Sequence, residues 1–284
     1  MKKFLTCITH ACFFIFVFGC KNDIDTNAKL VSAKGYSLYW HHDLSSTEGR
    51  GLLFAFDAKE ALTKDYDLEF DYTIKSSVIL VRLVKVIDKG ECPQFPGWGD
   101  PDLCNPNGKI YIPDKLLPPG KYSFEFIAEN IKIVSQLDVT DEKVSINIPS
   151  NSKLSTNINE VYPIPKGLVF GSLVYSGSEN RKHATSLIDD LVALGLTPAT
   201  VPNHPYQYLD AQRNYHLNET SWEPDNHLIS ILFNTNGLDF KSIFDTAKSH
   251  FELSDNKLTG GIMSSNGDNV NMNPYDGIHV IYAK

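Results

Sequence analysis

The stretch Lys121–Val139, KYSFEFIAENIKIVSQLDV, decides how the middle of this chain folds. Tyr122, Phe124 and Phe126 stand two residues apart with Ser123 and Glu125 between them, the period at which a strand turns alternate side chains to one buried face. Glu129-Asn130 interrupts the pattern and a second β-rich run follows it, so residues 121 to 134 are expected to form a tight hairpin. Further β-rich runs occupy residues 36–41, 52–57, 66–74, 78–87, 109–112 and 144–148, with breakers such as Pro118-Pro119-Gly120 between them. The run over 78–86 is the most continuously apolar and is expected to lie centrally. About eight short strands with turn punctuation and no helical period predict an all-β sandwich of immunoglobulin-like type over residues 34–150.

Composition changes after Ser150. Residues 151–165 hold Asn151, Ser152, Asn157, Pro163 and Pro165 and read as a linker. Beyond it, 168–175 reads as a buried strand. Ala184, Leu187, Ile188, Leu191 and Val192 then recur at helical spacing, with Ser178 as cap and Gly195 as stop. A weaker strand over 206–217, an apolar strand over 228–233, a second helix marked by Phe240, Ile243, Phe244, Ala247 and Phe251 behind Asp239, and a strand over 278–283 complete the order. Strand, helix, strand, strand, helix, strand is the order of a ferredoxin-like unit. The expected class is therefore α+β overall: an immunoglobulin-like sandwich followed by a smaller ferredoxin-like α+β domain over 166–284.

The N-terminus addresses the chain. Lys2 and Lys3 precede the apolar run Ala11 to Phe18, which is too short to span a bilayer as a permanent helix, and the run ends at Gly19-Cys20. These residues resemble the lipobox signal of bacterial lipoproteins, a resemblance confined to residues 1–20. It implies that residues 1–19 are a signal peptide and that Cys20 receives a diacylglyceryl group. Residues 20–33 are then a lipidated polar tether. Lys21, Asp23 and Asp25 loosely resemble the charged export signals of Bacteroidota surface lipoproteins, so the expected location is the cell envelope, lipid-anchored, on the surface or periplasmic face of the outer membrane.

Charge narrows the partners. The chain carries −8, and removing Lys2 and Lys3 takes this to −10. An acidic surface with no basic cluster is repelled by phosphate backbones, so nucleic acid is not an expected partner. Membrane contact is expected through the lipid on Cys20. Of five cysteines, Cys7 and Cys12 fall in the signal and Cys20 carries the lipid, which leaves Cys92 and Cys104. Outside the cytoplasm that pair is expected to form a disulfide worth roughly 3 kcal/mol.

No metal or cofactor is expected, and no catalytic residue is assigned. His183, His204, His216, His227, His250 and His279 lack chelating spacing, and His41-His42 alternate across a strand. Gly171 to Gly177 is not a nucleophile elbow, and no phosphate loop or His-Glu-x-x-His occurs. The Asn266–Asn273 loop has only partial calcium-loop spacing. Phe95 and Trp98 on the Cys92–Cys104 loop, together with Tyr206, Tyr208, Tyr215 and Trp222, form the expected contact surface. The leading expectation is an anchored protein that binds a protein or glycan. The alternatives are an envelope hydrolase among the C-terminal histidines with Asp210, Asp225 or Asp276, and an inhibitor or immunity lipoprotein.

Overall fold

The 121–139 run folds as a hairpin in register from Gly120↔Val139 to Ala128↔Ile131, with Glu129 at positive φ in its two-residue turn. It belongs to a computed structural model that describes residues 34–44, 48–92, 103–201, 218–223, 225–273 and 275–281. Seventeen strands and two α-helices make up the described chain, so the protein is mostly β.

The first ten strands are β1 (Tyr36–Asp43), β2 (Gly51–Ala58), β3 (Lys64–Lys75), β4 (Val78–Glu91), β5 (Asn107–Pro113), β6 (Gly120–Ala128), β7 (Ile131–Val139), β8 (Val144–Asn147), β9 (Leu154–Ser155) and β10 (Glu160–Val161). They form one sheet in the order β10-β8-β7-β6-β4-β3-β5-β2-β1-β9. Its two outermost strands, β9 and β10, are joined by only the four residues 156–159. A flat ten-stranded sheet would separate its edges by about 43 Å, whereas such a connection reaches about 18 Å at most. The sheet must therefore curl into a half-barrel.

Ring contacts across its interior agree. Phe54 on β2 meets Phe124 on β6 at 5.5 Å, and Phe56 meets Phe126 at 4.9 Å, although β2 and β6 are not neighbours in the sheet. Trp40 stacks on Phe54, and its indole N–H donates to the Ile158 carbonyl at 2.6 Å, pinning the β9–β10 connection over the core.

The remaining elements are β11 (Leu168–Ser176), α1 (Arg181–Ala193), β12 (Thr197–Pro198), β13 (Asn218–Glu223), β14 (Asn226–Asn234), α2 (Phe240–Leu253), β15 (Leu258–Ser264), β16 (Asn269–Asn273) and β17 (Gly277–Ile281). Seven strands form a second sheet in the order β12-β14-β11-β15-β16-β17, with β13 also on β14, and every pairing is antiparallel. Both helices pack on one face of it. Ala184, Leu187, Ile188 and Leu191 from α1 and Ile243, Phe244, Ala247 and Phe251 from α2 are buried against Val169, Leu173, Ile229 and Ile231. Val192, expected on the apolar face of α1, is 47 % exposed.

The expected class is corrected on both halves. The eight N-terminal runs do lie in strands, yet they build one curled sheet rather than the two sheets of an immunoglobulin-like sandwich; its opposed halves are only sandwich-like. Three pairings decide this: β4 runs parallel to β6 over Val78–Arg82, and the short β9 and β10, on β1 and β8, extend both edges from within the expected linker. The C-terminal half is not a four-stranded ferredoxin-like unit, because residues 257–281 supply three strands where one was expected. With only two helices against seventeen strands, α+β does not describe the whole.

A small third cluster lies between the two sheets: Leu44 from the first, Ile164 from the connection, and Leu168, Phe170, Ala199 and Leu232 from the second. Arg50 ties the same junction. Its guanidinium donates to Asp114 at 2.7 Å, to the Ser265 carbonyl at 2.8 Å and to the Ile164 carbonyl at 2.8 Å.

Candidate functional site

The face of the second sheet opposite the helices carries a concavity. Alternation along each strand fixes its residues: where Val169, Leu173, Ile229, Ile231, Ile262 and Val270 point to the helices, their neighbours point away. The strand registers line these neighbours up. One rung across the sheet reads Ser230, Ser172, Gly261, Asn271, His279, from β14 to β17. The adjacent rung reads Leu232, Phe170, Met263, Asn269, Ile281. The junction cluster covers Leu232 and Phe170 and borders on Met263.

A trough of about 340 Å³ opens where the two rungs meet, lined by Phe170, Ser172, Gly261, Met263, Asn269 and Asn271. Glycines shape it in two ways. Gly171 and Gly260 allow β11 and β15 to approach closely, since a Cβ on either would fall 2.0–2.1 Å from an opposing carbonyl oxygen. Gly261 leaves the floor low: a Cβ there would meet nothing nearer than 3.5 Å, so its absence is not demanded by the backbone.

Two of the polar side chains here are not spent on the fold. Among the described residues, Ser172 and Asn271 make no side-chain hydrogen bond, while the Ser230 hydroxyl is buried, 1 % exposed, and without a partner. Strands β11, β14, β15, β16 and β17 contain no Asp, Glu, Lys or Arg, in a chain that is 21% charged. The lining of the trough is thus uncharged, with polar and apolar side chains side by side.

Two other clusters serve the architecture. At the end of β11, Tyr175 stacks on His227 with ring centroids 5.0 Å apart and its hydroxyl donates to Glu219, which Arg181 also grips at 2.8 Å. Burial and the bond to Glu219 push the Tyr175 phenol up to about 12. The Arg181 and Tyr175 hydrogen bonds hold the Glu219 carboxyl below its usual range. This tie fastens β13 to α1. At the junction, burial alone would raise the Asp114 carboxyl, but His42 at 3.2 Å and Arg50 outweigh it and bring it to about 2.

Cys92 and Cys104 lie at bonding distance, S–S 2.11 Å with Cα atoms 5.8 Å apart. Of the expected contact residues, Phe95, Trp98, Tyr206, Tyr208 and Tyr215 lie outside the described residues, as do Cys20, His204, His216 and Asp210. Trp222 has its backbone in β13. The described histidines are dispersed: His227 stacks on Tyr175, His250 pairs with Asp190 at 2.7 Å, His279 is exposed on β17, and burial lowers His183 on α1. Asp225 accepts through its backbone from Gly177, and Asp276 pairs with Asn273. Among the described residues no three His, Cys, Asp or Glu side chains are grouped to hold a metal, and no helix is long and apolar enough to cross a membrane.

Sequence reading missed the trough. It named aromatic loops, whereas the trough arises from register, and its only sequence trace is the uncharged pair of runs LTGGIMS and NVNMN. No protein-family model, curated protein or solved structure matches this chain.

Proposed function

We propose that this is an exported, lipid-anchored binding protein of the cell envelope, and that it engages its ligand on the open face of the second sheet. The observation that carries the binding role is the trough over Ser172, Gly261 and Asn271, where the fold leaves the Ser172 hydroxyl and the Asn271 carboxamide unused among the described residues. Isolated polar side chains on a sheet are ordinary, but a concave row of them beside an apolar wall of Phe170 and Met263 has the make-up of a ligand site. The anchor rests on Lys2, Lys3, the apolar run and Gly19-Cys20, and the cysteine pair suits the oxidising side of a membrane. The acyl chains would hold Cys20 at the outer membrane, and residues 20–33 would give the folded part its reach.

Two measurements test the two halves of this reading. Metabolic labelling with an alkyne fatty acid should tag the protein and fail on Cys20→Ala, which should also leave the membrane pellet; equal labelling of both would remove the anchor. Hydrogen exchange of the chain lacking residues 1–20, with and without solubilised envelope extract, should slow exchange in β11, β15 and β16. No protection there would remove the open face as the binding site.

A further inference from the structure

We infer that the trough recognises a neutral carbohydrate chain, an assignment that rests on the open face being a binding site. Three observations select that chemistry. First, the five strands β11, β14, β15, β16 and β17 supply no charged side chain, so neither an anionic nor a cationic ligand finds a counter-charge. In a chain of net charge −8, an anion would also meet long-range repulsion.

Second, the trough lies over β11, β15 and β16, inside the sheet. Backbone N–H and C=O groups there are already paired across the registers Ser172↔Gly261 and Gly261↔Asn271. A peptide that adds as a strand needs an edge with unpaired backbone, and none is offered at this place. Recognition must come from side chains alone.

Third, those side chains are hydroxyls and carboxamides, which both donate and accept. Ser172 and Asn271, both lining the trough, carry this capacity unused among the described residues. Sugar hydroxyls likewise donate and accept, and the apolar C–H face of a pyranose ring would rest on the Phe170–Met263 wall. His279 extends the polar rung to the edge, and Tyr275, 92 % exposed, projects from the β16–β17 turn. A ligand longer than one ring could follow that direction.

Gly261 gives the test its specificity. A Cβ there meets its nearest neighbours, Asn271 Oδ1 and the Val270 carbonyl, only at 3.5 Å, so a side chain can enter the trough without a clash, and a β-branched one suits a strand. The protein lacking residues 1–20 would be run in native gels cast with xylan, galactomannan, a soluble β-glucan, starch or dextran, beside gels containing polygalacturonate or heparin. At least one neutral polymer should retard the wild type, and Gly261→Val, with unchanged Tm, should lose affinity for it by about tenfold or more. Asn271→Ala should weaken the same interaction, which guards against a folding defect in the valine variant.

Retardation only by a charged polymer, or by none, overturns the carbohydrate assignment. The open-face reading then still stands or falls on the exchange measurement. Retardation by a neutral polymer that Gly261→Val and Asn271→Ala both leave intact places that binding elsewhere and overturns the trough.

Discussion

Asp114 shows how one carboxylate holds the junction. Its folded-state value of about 2 lies below the ordinary 3.8 because His42 and Arg50 outweigh its burial. A depressed acid adds stability that is complete above the ordinary value and is lost as pH falls through the folded one. Here that window runs from about pH 4 down to about pH 2, and the contribution is about 2 kcal/mol. Asp114→Asn should therefore lower Tm at pH 7 and show a shallower fall in Tm between pH 4 and 2 than the wild type. Parallel Tm-versus-pH curves would mean the pair contributes nothing. Sequence alone could not announce this residue: Asp114 follows a strand in a proline-flanked turn, and its partners stand 72 and 64 positions away. The trough was hidden for the same reason, since Ser172, Gly261 and Asn271 become neighbours only through strand register.

At the scale of elements, what was legible was whatever has a local period. Tyr122, Phe124 and Phe126 announce β6 because alternation is written into consecutive residues, and Ile243, Phe244, Ala247 and Phe251 announce α2 in the same way. Pairing is not local. Nothing in residues 78–82 states that they run parallel to residues 123–127, and two-residue strands such as β9 carry no periodic signal. β15 was obscured by Gly260 and Gly261, which weaken strand character while shaping the sheet.

The cysteine pair belongs to this scale as well, because it closes the base of a long element. Leu62 and Cys104 exchange backbone hydrogen bonds at 2.9 Å just before β3 begins, and Cys92 follows the end of β4. The β3–β4 hairpin is thus clamped at its open end. Its reduction, or the double change Cys92→Ser with Cys104→Ser, should cost about 3 kcal/mol and lower Tm by several degrees. An equal Tm with and without reductant would show that the bridge does not constrain the unfolded chain.

For the whole molecule the question is whether two sheets melt as one. Each has its own core: Tyr36, Trp40, Phe54, Phe56, Phe124 and Phe126 in the first, and the two helices against β11, β14, β15 and β16 in the second. Among the described residues, what couples them is small. Leu44 is fully buried against Leu168, Phe170 and Leu232, and Arg50 spans from Asp114 to the Ser265 and Ile164 carbonyls. Leu44→Ala removes a packed side chain at about 2–5 kcal/mol. Arg50→Ala leaves two buried carbonyls and a carboxylate short of a donor, at about 2–4 kcal/mol.

Because neither residue lies within the main core of either sheet, their loss should uncouple the sheets more than it weakens each one. Calorimetry on the wild type should therefore give one transition, and Leu44→Ala with Arg50→Ala should split it into two. A single transition moved to lower temperature would mean that coupling runs through contacts other than this junction. The split also bears on the trough, because Phe170, buried in the junction cluster, forms part of its wall. If the first sheet acts as a rigid backing for that wall, the double variant should lose ligand affinity at temperatures where the second sheet is still folded.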